Sequence, residues 1–370
     1  MRDVGPFGAR NPRYVAGLIL DAIETDAADV HTERVREMAA SAPLLLRRVR
    51  SALNPQKEIT MSDNRARAVR FDRYGGRDVL YVAEIPMPIP KAGEVVVAVR
   101  AAGINPGEAS IRTGALHEQF PATFPSGEGS DLAGVVTAVG ESVDEFAVGD
   151  EVLGFSWQRS SHATHVAVPV TQLIRKPAEL GWEAAGALYV VGCTAYAAVR
   201  AVNVTRGDAV AVSAAAGGVG SVVVQLLAVR GAHVLGIASP TNDAWLTAHG
   251  ATPVHYGDGL ADRLKAAAPR GIDAFIDCFG PDYVQLAVDL GIAPPRIETI
   301  IAFQKAQEVG AKSDGSTSAS TRDVLTEMAN LVASGAIEIP IAATYPLDRV
   351  ADAFEQLERR HTRGKIVLIP

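Results

Sequence analysis

The strongest constraint on the fold of this chain is a glycine-rich turn between two apolar runs. The run 209–213 (AVAVS) predicts a β-strand, and the run 219–230 predicts a helix. Glycines at 217 and 218 let the backbone approach a ligand, and glycine at 220 lets the helix pack closely on the strand. The free N–H groups and positive dipole end of such a helix start bind phosphate groups. The turn therefore predicts a dinucleotide site formed by Ala216, Gly217, Gly218, Val219 and Gly220.

The residues after 181 alternate between helix-like and strand-like runs. A glycine cluster alone also marks helix starts that bind no nucleotide, so this alternation is what favours the nucleotide interpretation. Strands that alternate with helices predict an α/β fold, a Rossmann-type parallel sheet with helices on both faces. Helices are expected at 182–202, 243–249, 260–268, 321–334 and 350–360, and strands at 233–237, 253–255, 274–277 and 365–369.

The residues from 66 to about 169 show short β-type runs without helices between them. Such runs predict a small barrel or sandwich. Prolines at 86, 88 and 90 indicate a linker within this part. The clearest strands are expected at 68–71, 94–102, 134–139, 151–154 and 163–168.

The composition excludes several classes of protein. A chain of 370 residues exceeds what one compact core usually holds, so we expect two domains. The net charge of −7 favours neither nucleic acid nor anionic lipid as a partner. Two cysteines, Cys193 and Cys278, cannot form a disulfide framework or a four-thiolate zinc site. No apolar run reaches the ~18 residues of a membrane span, and we expect a cytoplasmic protein.

The first sixty residues differ from the rest in pattern. Helical periodicity is present at 14–23 and at 32–53, and the second stretch is basic and amphipathic. Such a helix binds a partner or a membrane surface in some proteins. The favoured interpretation is an appendage, or a start upstream of a true one at Met61. Residues 1–64 are therefore treated as an extension without an assigned function.

The end of the second strand of the alternating region bears on the choice of cofactor. NAD-selective sites usually carry Asp or Glu there, which accepts a hydrogen bond from the ribose 2′-OH. Ser239 occupies that place here, and Ser239 and Asn242 are able to donate to a 2′-phosphate. NADPH is favoured, although no positive charge is present and Asp243 lies close by. The alternative is that Ser239 is only a turn residue at the strand end.

Segments spread over about 300 residues resemble the medium-chain dehydrogenase/reductase superfamily, in particular its zinc-independent, quinone oxidoreductase-like branch. The order of these segments along the chain makes the resemblance specific. They are Tyr74-Gly75-Gly76, 101–107 (AAGINPG), 129–140 (GSDLAGVVTAVG), 146–152 (FAVGDEV), 187–197 (ALYVVGCTAYA), 214–220 (AAAGGVG) and 363–368 (RGKIVL).

The resemblance implies a GroES-like β-barrel catalytic domain that is completed by the C-terminal segment, and a Rossmann NADP-binding domain between the two parts. The implied boundaries are 65–187 with 320–370 for the first domain and 188–319 for the second. A homodimer is also implied, and the polar stretch 312–320 is expected to link the domains or cover the cleft.

Zinc-dependent relatives carry cysteine and histidine ligands that this sequence lacks. Asn105 and the stretch 129–131 (GSD) stand in the regions that supply the first ligands, and no cysteine precedes Cys193. His162 and His165 are spaced like a metal pair but lack a third ligand, so they are interpreted as packing or surface residues. No metal is therefore expected.

The resemblance also assigns candidate site residues, each with a structural alternative. Asn105 is placed near the nicotinamide, or is an Asn-Pro turn former. Tyr74 is placed at the substrate mouth, or is a half-buried packing residue; these two are the catalytic candidates. Further cofactor contacts are implied for Thr194 at the start of the domain-crossing helix, for Lys365, and for Phe279, Ile301 and Phe303 beside the nicotinamide.

The alternatives for these cofactor contacts are structural as well. Thr194 is otherwise a residue of the helix interior, and Lys365 binds either a phosphate or only a surface carboxylate. Cys278-Phe279 departs from the smaller pair that is usual in relatives, and Phe279 either tightens the pocket or fills the core. Cys278 is interpreted as a small buried hydrophobe.

Two functions remain open from the sequence. The first is an NADPH-dependent, zinc-independent oxidoreductase that transfers hydride to a small-molecule quinone, enone or similar conjugated carbonyl. The second is a non-catalytic NADPH-binding sensor or structural homologue, which the absence of an evident catalytic acid or base favours. No side chain identifies itself as the proton donor.

Overall fold

The computed structural model describes residues 65–370. The helices expected at 14–23 and 32–53, and the candidate start at Met61, lie outside these residues. No helix within 65–370 combines the length and apolarity that crossing a bilayer requires.

Strands dominate the first part of the described chain and alternate with helices in the second. The strands are β1 (Arg65–Phe71), β2 (Tyr81–Pro86), β3 (Glu94–Gly103), β4 (Ser126–Gly127), β5 (Asp131–Val139), β6 (Glu151–Phe155), β7 (His165–Pro169), β8 (Leu173–Arg175), β9 (Ala209–Val212), β10 (His233–Ala238), β11 (Ala251–His255), β12 (Ala274–Asp277), β13 (Ile297–Thr299), β14 (Ile341–Pro346) and β15 (Lys365–Ile369). The α-helices are α1 (Pro106–Arg112), α2 (Trp182–Gly186), α3 (Leu188–Ala201), α4 (Gly218–Val229), α5 (Asp243–Ala248), α6 (Leu260–Ala267), α7 (Pro281–Asp289), α8 (Phe303–Val309), α9 (Arg322–Ala333) and α10 (Val350–Glu358).

The predicted Rossmann-type sheet is confirmed. Its five strands are all parallel and lie in the order β11-β10-β9-β12-β13. The connections reverse direction between β9 and β12, and in open α/β sheets ligands bind at the carboxyl ends of the strands beside such a reversal. The strand ends that carry the glycine-rich turn and Phe279 are therefore neighbours.

The first part of the described chain and the C-terminal segment form a mainly antiparallel β-domain, in which β14 and β15 pair in parallel, and this confirms the GroES-like expectation. Its larger sheet has the order β14-β15-β3-β5-β6-β8, and a smaller one has the order β2-β1-β4. The late strand β15 pairs antiparallel with β3, Leu368 opposite Ala102, so the C-terminal segment completes this domain's sheet. The buried valines of β3 and β5 form its core.

The structure differs from the expected elements in several places. The apolar stretch 182–202 is two helices rather than one, because it breaks at Ala187, whose φ and ψ are −109° and 0°. The break lies beside Gly186, where a Cβ atom would come within 2.4 Å of the Ala101 carbonyl oxygen. Residues 81–86 form an edge strand that the pattern did not predict, and this strand includes Pro86, the first proline of the expected linker.

Three helices that the pattern did not predict are short. Two of them, α1 and α7, begin at a proline, which is favoured at the first helical position because its missing N–H group is not needed there. The Asn105-Pro106 pair is therefore a helix start and not only a turn.

Candidate active site

The glycine-rich turn lies at the carboxyl end of β9 and starts α4. Ser221 makes the first hydrogen bond of the helix, donating its N–H group to the Gly217 carbonyl at 2.9 Å. The N–H groups of residues 218–220 precede that bond and point out of the helix start. They are the groups that a diphosphate would accept from.

Two glycines of this turn have different roles in the free protein. A Cβ atom on Gly220 would lie 2.1 Å from the Ala214 carbonyl oxygen, so only glycine permits the close packing of helix on turn. A Cβ atom on Gly218 would meet nothing nearer than Lys365 Cδ at 3.4 Å. The protein therefore does not itself require glycine at 218, which fits the prediction that a ligand does.

The C-terminal segment is attached directly to this turn. The Gly364 N–H group donates to the Ala216 carbonyl at 3.0 Å, and the methylene stem of Lys365 lies beside Gly218. Gly364 has a φ of +76°, and a Cβ there would lie 2.1 Å from the Pro340 carbonyl oxygen. The Gly-Lys pair thus brings the β-domain against the turn.

Lys365 is buried, which the sequence did not predict. Its Nζ donates to the Ile104 carbonyl at 2.9 Å, to Asn105 Oδ1 at 2.5 Å and to Asp131 Oδ2 at 3.1 Å. Its partner carboxylate is buried, so the surface-carboxylate alternative is wrong. All three ammonium protons are engaged within the protein, so the geometry gives no support to the predicted phosphate contact.

Asn105 is buried at the N-terminus of α1 and is held from both sides. Its Nδ2 donates to Glu108 Oε1 and to Asp131 Oδ2, each at 3.1 Å, and its backbone N–H donates to Glu108 Oε2 at 2.8 Å. The Val190 N–H donates to the other Asp131 oxygen at 2.7 Å, which connects the cluster to the start of α3. The predicted nicotinamide contact of Asn105 stays a prediction.

Glu108 and His162 extend this buried cluster. Glu108 Oε1 also accepts from the Ser130 N–H at 2.9 Å, and Glu108 Oε2 lies 3.8 Å from His162 Nε2. Burial lowers the pKa of His162, although Glu108 opposes this effect, so the ring is neutral near neutral pH. His162 is thus a packing residue whose Nε2 faces the Gly103 carbonyl at 3.2 Å.

Tyr74 and Asn105 are not brought together. The Gly75 N–H bonds to the Arg112 carbonyl, so Tyr74 lies near the C-terminal end of α1 while Asn105 caps its N-terminal end. The two ends of this helix are about 10 Å apart. The Tyr74 ring packs edge-on against Phe124 with centroids 5.1 Å apart, and its hydroxyl accepts from the Ala122 N–H at 3.1 Å. This geometry favours the packing alternative.

Thr194 lies within α3 rather than at its start, so its predicted location is wrong. The helix begins at Leu188 because the stretch breaks at Ala187, and Thr194 is buried in its middle. The cofactor contact assigned to Thr194 stays a prediction.

The end of β10 brings the two predicted 2′-phosphate donors together. Asn242 Nδ2 donates to Ser239 Oγ at 3.0 Å, and Ser239 Oγ lies 2.8 Å from Thr241 Oγ1. Ser239 is also the residue before a 3₁₀ turn, as its turn-residue alternative implied. The local geometry is therefore compatible with both interpretations of Ser239, as a donor to a 2′-phosphate and as a turn residue.

The three residues expected beside the nicotinamide are large, apolar and exposed. Phe279, Ile301 and Phe303 have exposed fractions of 45%, 43% and 49%. Phe279 and Ile301 follow β12 and β13, and Phe303 is the first residue of α8 rather than part of the loop. Exposed apolar groups at the ligand-binding edge of a sheet are typical of a binding surface. Phe279 therefore does not fill the core.

Arg360 is a residue of this region that the sequence analysis missed. Its guanidinium carbon lies 5.9 Å from the centre of the Phe279 ring, so a positive charge from the C-terminal segment reaches the edge of the Rossmann sheet. The signal was present in the basic run 359–365 (RRHTRGK) just before β15.

The two cysteines are unsuited to nucleophilic catalysis. Burial raises the pKa of Cys193 to about 12 and that of Cys278 well above its ordinary value, and nearby Asp131 and Asp277 act in the same direction. Both therefore remain thiols at neutral pH. Within residues 65–370, no group of three or more His, Cys, Asp or Glu side chains is arranged to hold a metal ion.

The stretch 312–320 is fixed to α3. Tyr189 Oη lies 2.7 Å from Ser320 Oγ, and Arg200 donates to the Ser318 carbonyl at 2.9 Å. A short 3₁₀ turn covers Ser316–Ser318. This stretch therefore packs on the helix that leads from the β-domain into the Rossmann sheet.

Comparison with known proteins decides the family. Residues 91–169 match the family described as alcohol dehydrogenase GroES-like domain, and residues 249–368 match zinc-binding dehydrogenase. The quinone oxidoreductase of Lama guanicoe is 30% identical over 325 residues, which cover 82% of this chain and 97% of that protein. This chain belongs to the medium-chain dehydrogenase/reductase family. It is an oxidoreductase of the quinone oxidoreductase-like branch.

Other relatives agree with this assignment. The chloroplast envelope quinone oxidoreductase homolog of Arabidopsis thaliana is 29% identical over 322 residues, 82% of this chain and 98% of that protein. The Escherichia coli quinone oxidoreductase complexed with NADPH superposes with a TM-score of 0.74 at 26% identity, covering 82% of this chain and 100% of that one. The Coxiella burnetii quinone oxidoreductase has a TM-score of 0.74 at 28% identity, covering 83% and 99% of the two chains.

The residues present fit the nicotinamide dinucleotide that this family implies. The helix start at 218–220 offers backbone N–H groups, and the Cβ position of Gly218 lies clear of steric overlap. Polar donors lie at the end of β10, and exposed apolar side chains lie at the ends of β12 and β13. These features suit a diphosphate, an adenosine ribose and a nicotinamide ring in that order.

Proposed function

We propose that this protein is an NADPH-dependent oxidoreductase that reduces a quinone, enone or similar conjugated carbonyl compound without a metal ion. The observation that carries the proposal is the juxtaposition, at one edge of the Rossmann sheet, of the turn at 217–220 and the exposed Phe279 and Ile301. The names of the relatives support a quinone as the acceptor.

The residues of the chain bind and orient, and the chemistry comes from the cofactor. NADPH, when bound, would supply the hydride, and solvent would supply the proton that completes the reduction. The N–H groups of residues 218–220 hold the diphosphate, and the apolar side chains of Phe279, Ile301 and Phe303 exclude water beside the nicotinamide. Such exclusion strengthens the electrostatic interactions within a site and keeps the reacting groups in one orientation.

The preference for NADPH over NADH rests on the end of β10. Ser239 and Asn242 are neutral hydrogen-bond donors where an NAD-selective site would carry a carboxylate. Neutral donors at that place favour a cofactor that carries an additional phosphate.

The absence of a metal requirement rests on the residues around Asn105. They are an amide, an ammonium group and two carboxylates that satisfy one another by hydrogen bonds, without a thiolate among them. A conjugated carbonyl is already electrophilic at its β-carbon, so hydride transfer to it does not require a metal to polarise the oxygen.

The purified full chain tests this proposal directly. With NADPH and a panel of small quinones and enones, we expect saturable NADPH oxidation that EDTA leaves unchanged. A panel of primary and secondary alcohols with NADP⁺ serves as the control, because polarisation of an alcohol by zinc needs a set of ligands that residues 65–370 do not offer. Turnover that a chelator abolishes, or turnover of alcohols alone, would contradict the proposal.

A second candidate is a non-catalytic NADPH-binding protein. One observation favours it: the buried polar groups of Lys365, Asn105 and Glu108 all have partners within the protein, which leaves no free acid in that cluster. Tight NADPH binding without turnover on any acceptor of the panel distinguishes this function from the first.

A further inference from the structure

The carboxylate of Asp277 lies at the end of β12, fully buried, and is saturated with hydrogen bonds. Its Oδ1 accepts from Ser213 Oγ at 2.6 Å and from the N–H groups of Phe279 at 2.9 Å and Gly280 at 3.1 Å. Its Oδ2 accepts from Thr299 Oγ1 at 2.7 Å. A buried carboxylate needs donors of this kind, and here they come from the ends of three adjacent strands, β9, β12 and β13.

The hydroxyl groups of Ser213 and Thr299 also accept hydrogen bonds from the backbone of the adjacent loops. Ser213 Oγ accepts from the Cys278 N–H at 2.8 Å. Thr299 Oγ1 accepts from the N–H groups of Ala302 at 3.0 Å and Ile301 at 3.3 Å. Each hydroxyl thus donates to Asp277 and accepts from a loop, so one carboxylate fixes the backbone of residues 278–280 and 301–302.

These loops carry the exposed side chains of Phe279 and Ile301. Exposed side chains are not oriented by core packing, so their direction depends on the backbone that carries them. On the other side of the network, Ser213 immediately precedes Ala214, which opens the glycine-rich turn with a φ of +45°. The same carboxylate therefore connects the phosphate-binding turn with the apolar surface.

We propose that Asp277, Ser213 and Thr299 are positioning residues that preset the two loops for the nicotinamide end of the cofactor. The inference rests on the proposed function, since it assigns the nicotinamide to these loops. Fixing the loops before binding removes an ordering cost that would otherwise weaken the complex. A bound dinucleotide would then find the turn and the apolar surface already at a fixed separation.

Thr299 is the best residue to change because two substitutions distinguish the effect of its hydroxyl group from the effect of its shape. Thr299→Val keeps the volume and removes the hydroxyl, whereas Thr299→Ser keeps the hydroxyl. Two ligands distinguish the contributions of the two ends of the site to binding. NADPH occupies both ends, whereas 2′-phospho-ADP-ribose lacks the nicotinamide. Leu173→Ala, a cavity variant in the core of the β-domain, a cluster that contains no residue of these loops or of the turn, controls for general loss of stability.

We expect Thr299→Val to raise the Kd of NADPH about tenfold and to leave the Kd of 2′-phospho-ADP-ribose within about twofold of wild type. Thr299→Ser and Leu173→Ala should both bind the two ligands as the wild type does. In the free protein, amide hydrogen exchange at residues 301 and 302 should be faster in Thr299→Val than in Thr299→Ser.

Unchanged NADPH affinity in Thr299→Val overturns the inference, as does equal loss of both ligands, which would indicate a purely structural role. Unchanged hydrogen exchange overturns the presetting of the loops. If the wild-type protein binds NADPH but reduces no acceptor, this result contradicts only the proposed catalysis. A wild type that binds neither ligand overturns both the proposed function and this inference.

Discussion

Lys365 donates a hydrogen bond to Asn105 across 260 positions of the chain, with Nζ and Oδ1 2.5 Å apart. The same ammonium group pairs with the buried carboxylate of Asp131. This contact fastens the returning strand β15 to the helix start at Asn105 and, through Gly364, to the glycine-rich turn. The ion pair therefore lies within the β-domain, beside the contact of its C-terminal segment with the glycine-rich turn.

Removing the ammonium group should destabilise the protein strongly. Lys365→Met leaves the Asp131 carboxylate buried without its counter-charge, and breaking a buried pair in this way costs about 3–5 kcal/mol. Urea unfolding should show this loss, and the double variant Lys365→Met/Asp131→Asn should recover part of it. The control Lys305→Met removes the half-buried partner of the exposed Glu308 and should cost less than about 1 kcal/mol. Equal effects of the two lysine substitutions would contradict this account.

Alanine at the two glycines of the turn should have opposite effects. Gly220→Ala places a Cβ atom 2.1 Å from the Ala214 oxygen and should destabilise the fold by about 1–3 kcal/mol. Gly218→Ala has room in the free protein and should not lower the melting temperature, since alanine favours a helix by about 1 kcal/mol. It should nevertheless weaken NADPH binding at least about tenfold, because the methyl group covers the phosphate-binding N–H groups. Melting curves and a fluorescence titration check both results.

The stability of the protein should fall as the pH rises above neutrality, in part because of Glu298. Burial raises the pKa of Glu298 to about 9; the Asp314 carboxylate acts in the same direction, while the Asp314 N–H group and Lys312 oppose it. The folded state then holds a proton that the unfolded chain has lost above its ordinary pKa of 4.5. This contribution is complete below that pH and decreases by about 1.4 kcal/mol per pH unit until it is lost near pH 9.

Unfolding free energies at about pH 7.0 and about pH 8.5, two values inside that window, measure the effect. Glu298→Gln should remove the part of the slope that Glu298 contributes, because an amide does not ionise, and leave the part due to Glu128, whose pKa burial raises to about 8. Glu308→Gln, at an exposed position, should leave it unchanged. A slope that is the same in all three proteins would show that Glu298 does not hold the proton.

A carboxylate introduced at the end of β10 should reverse the expected preference for NADPH over NADH. Ser239→Asp places a negative charge where the 2′-phosphate is expected, and should raise the Kd of NADPH at least about tenfold while the Kd of NADH does not rise. Ser239→Asn is the neutral control and should retain the preference for NADPH. Titrations of each variant with both cofactors give the comparison, and an unaltered NADPH affinity in Ser239→Asp would place the 2′-phosphate elsewhere.

The parts of the fold that the sequence predicted well are those with local signals. The strands Ala274–Asp277 and Lys365–Ile369 have their expected bounds because each contains a short apolar run bounded by charged residues or proline. The short helix α1 was missed although its signals are present: Asn105 before it, Pro106 at its first position and Glu108 reaching back to the Asn105 N–H. Because Asn-Pro is also common in turns, the pair alone does not distinguish a helix start from a turn.

The parts of the candidate site that the sequence could predict are those formed by residues close together along the chain. The turn at 217–220 and the donors Ser239 and Asn242 are local features, and the structure brings each set together. The burial of Lys365 depends on Asp131, 234 positions away, and no local pattern reveals such a partner. Likewise, Tyr74 and Asn105 match the family at the sequence level, but the length of α1 separates them.

A crystal structure of the protein grown with NADPH tests the central claim most directly. The account predicts that the diphosphate accepts hydrogen bonds from the N–H groups of residues 218–220 and that the nicotinamide lies against Phe279 and Ile301, with no metal ion near Asn105. A diphosphate bound away from the turn, or a nicotinamide that leaves both side chains exposed to water, would contradict it.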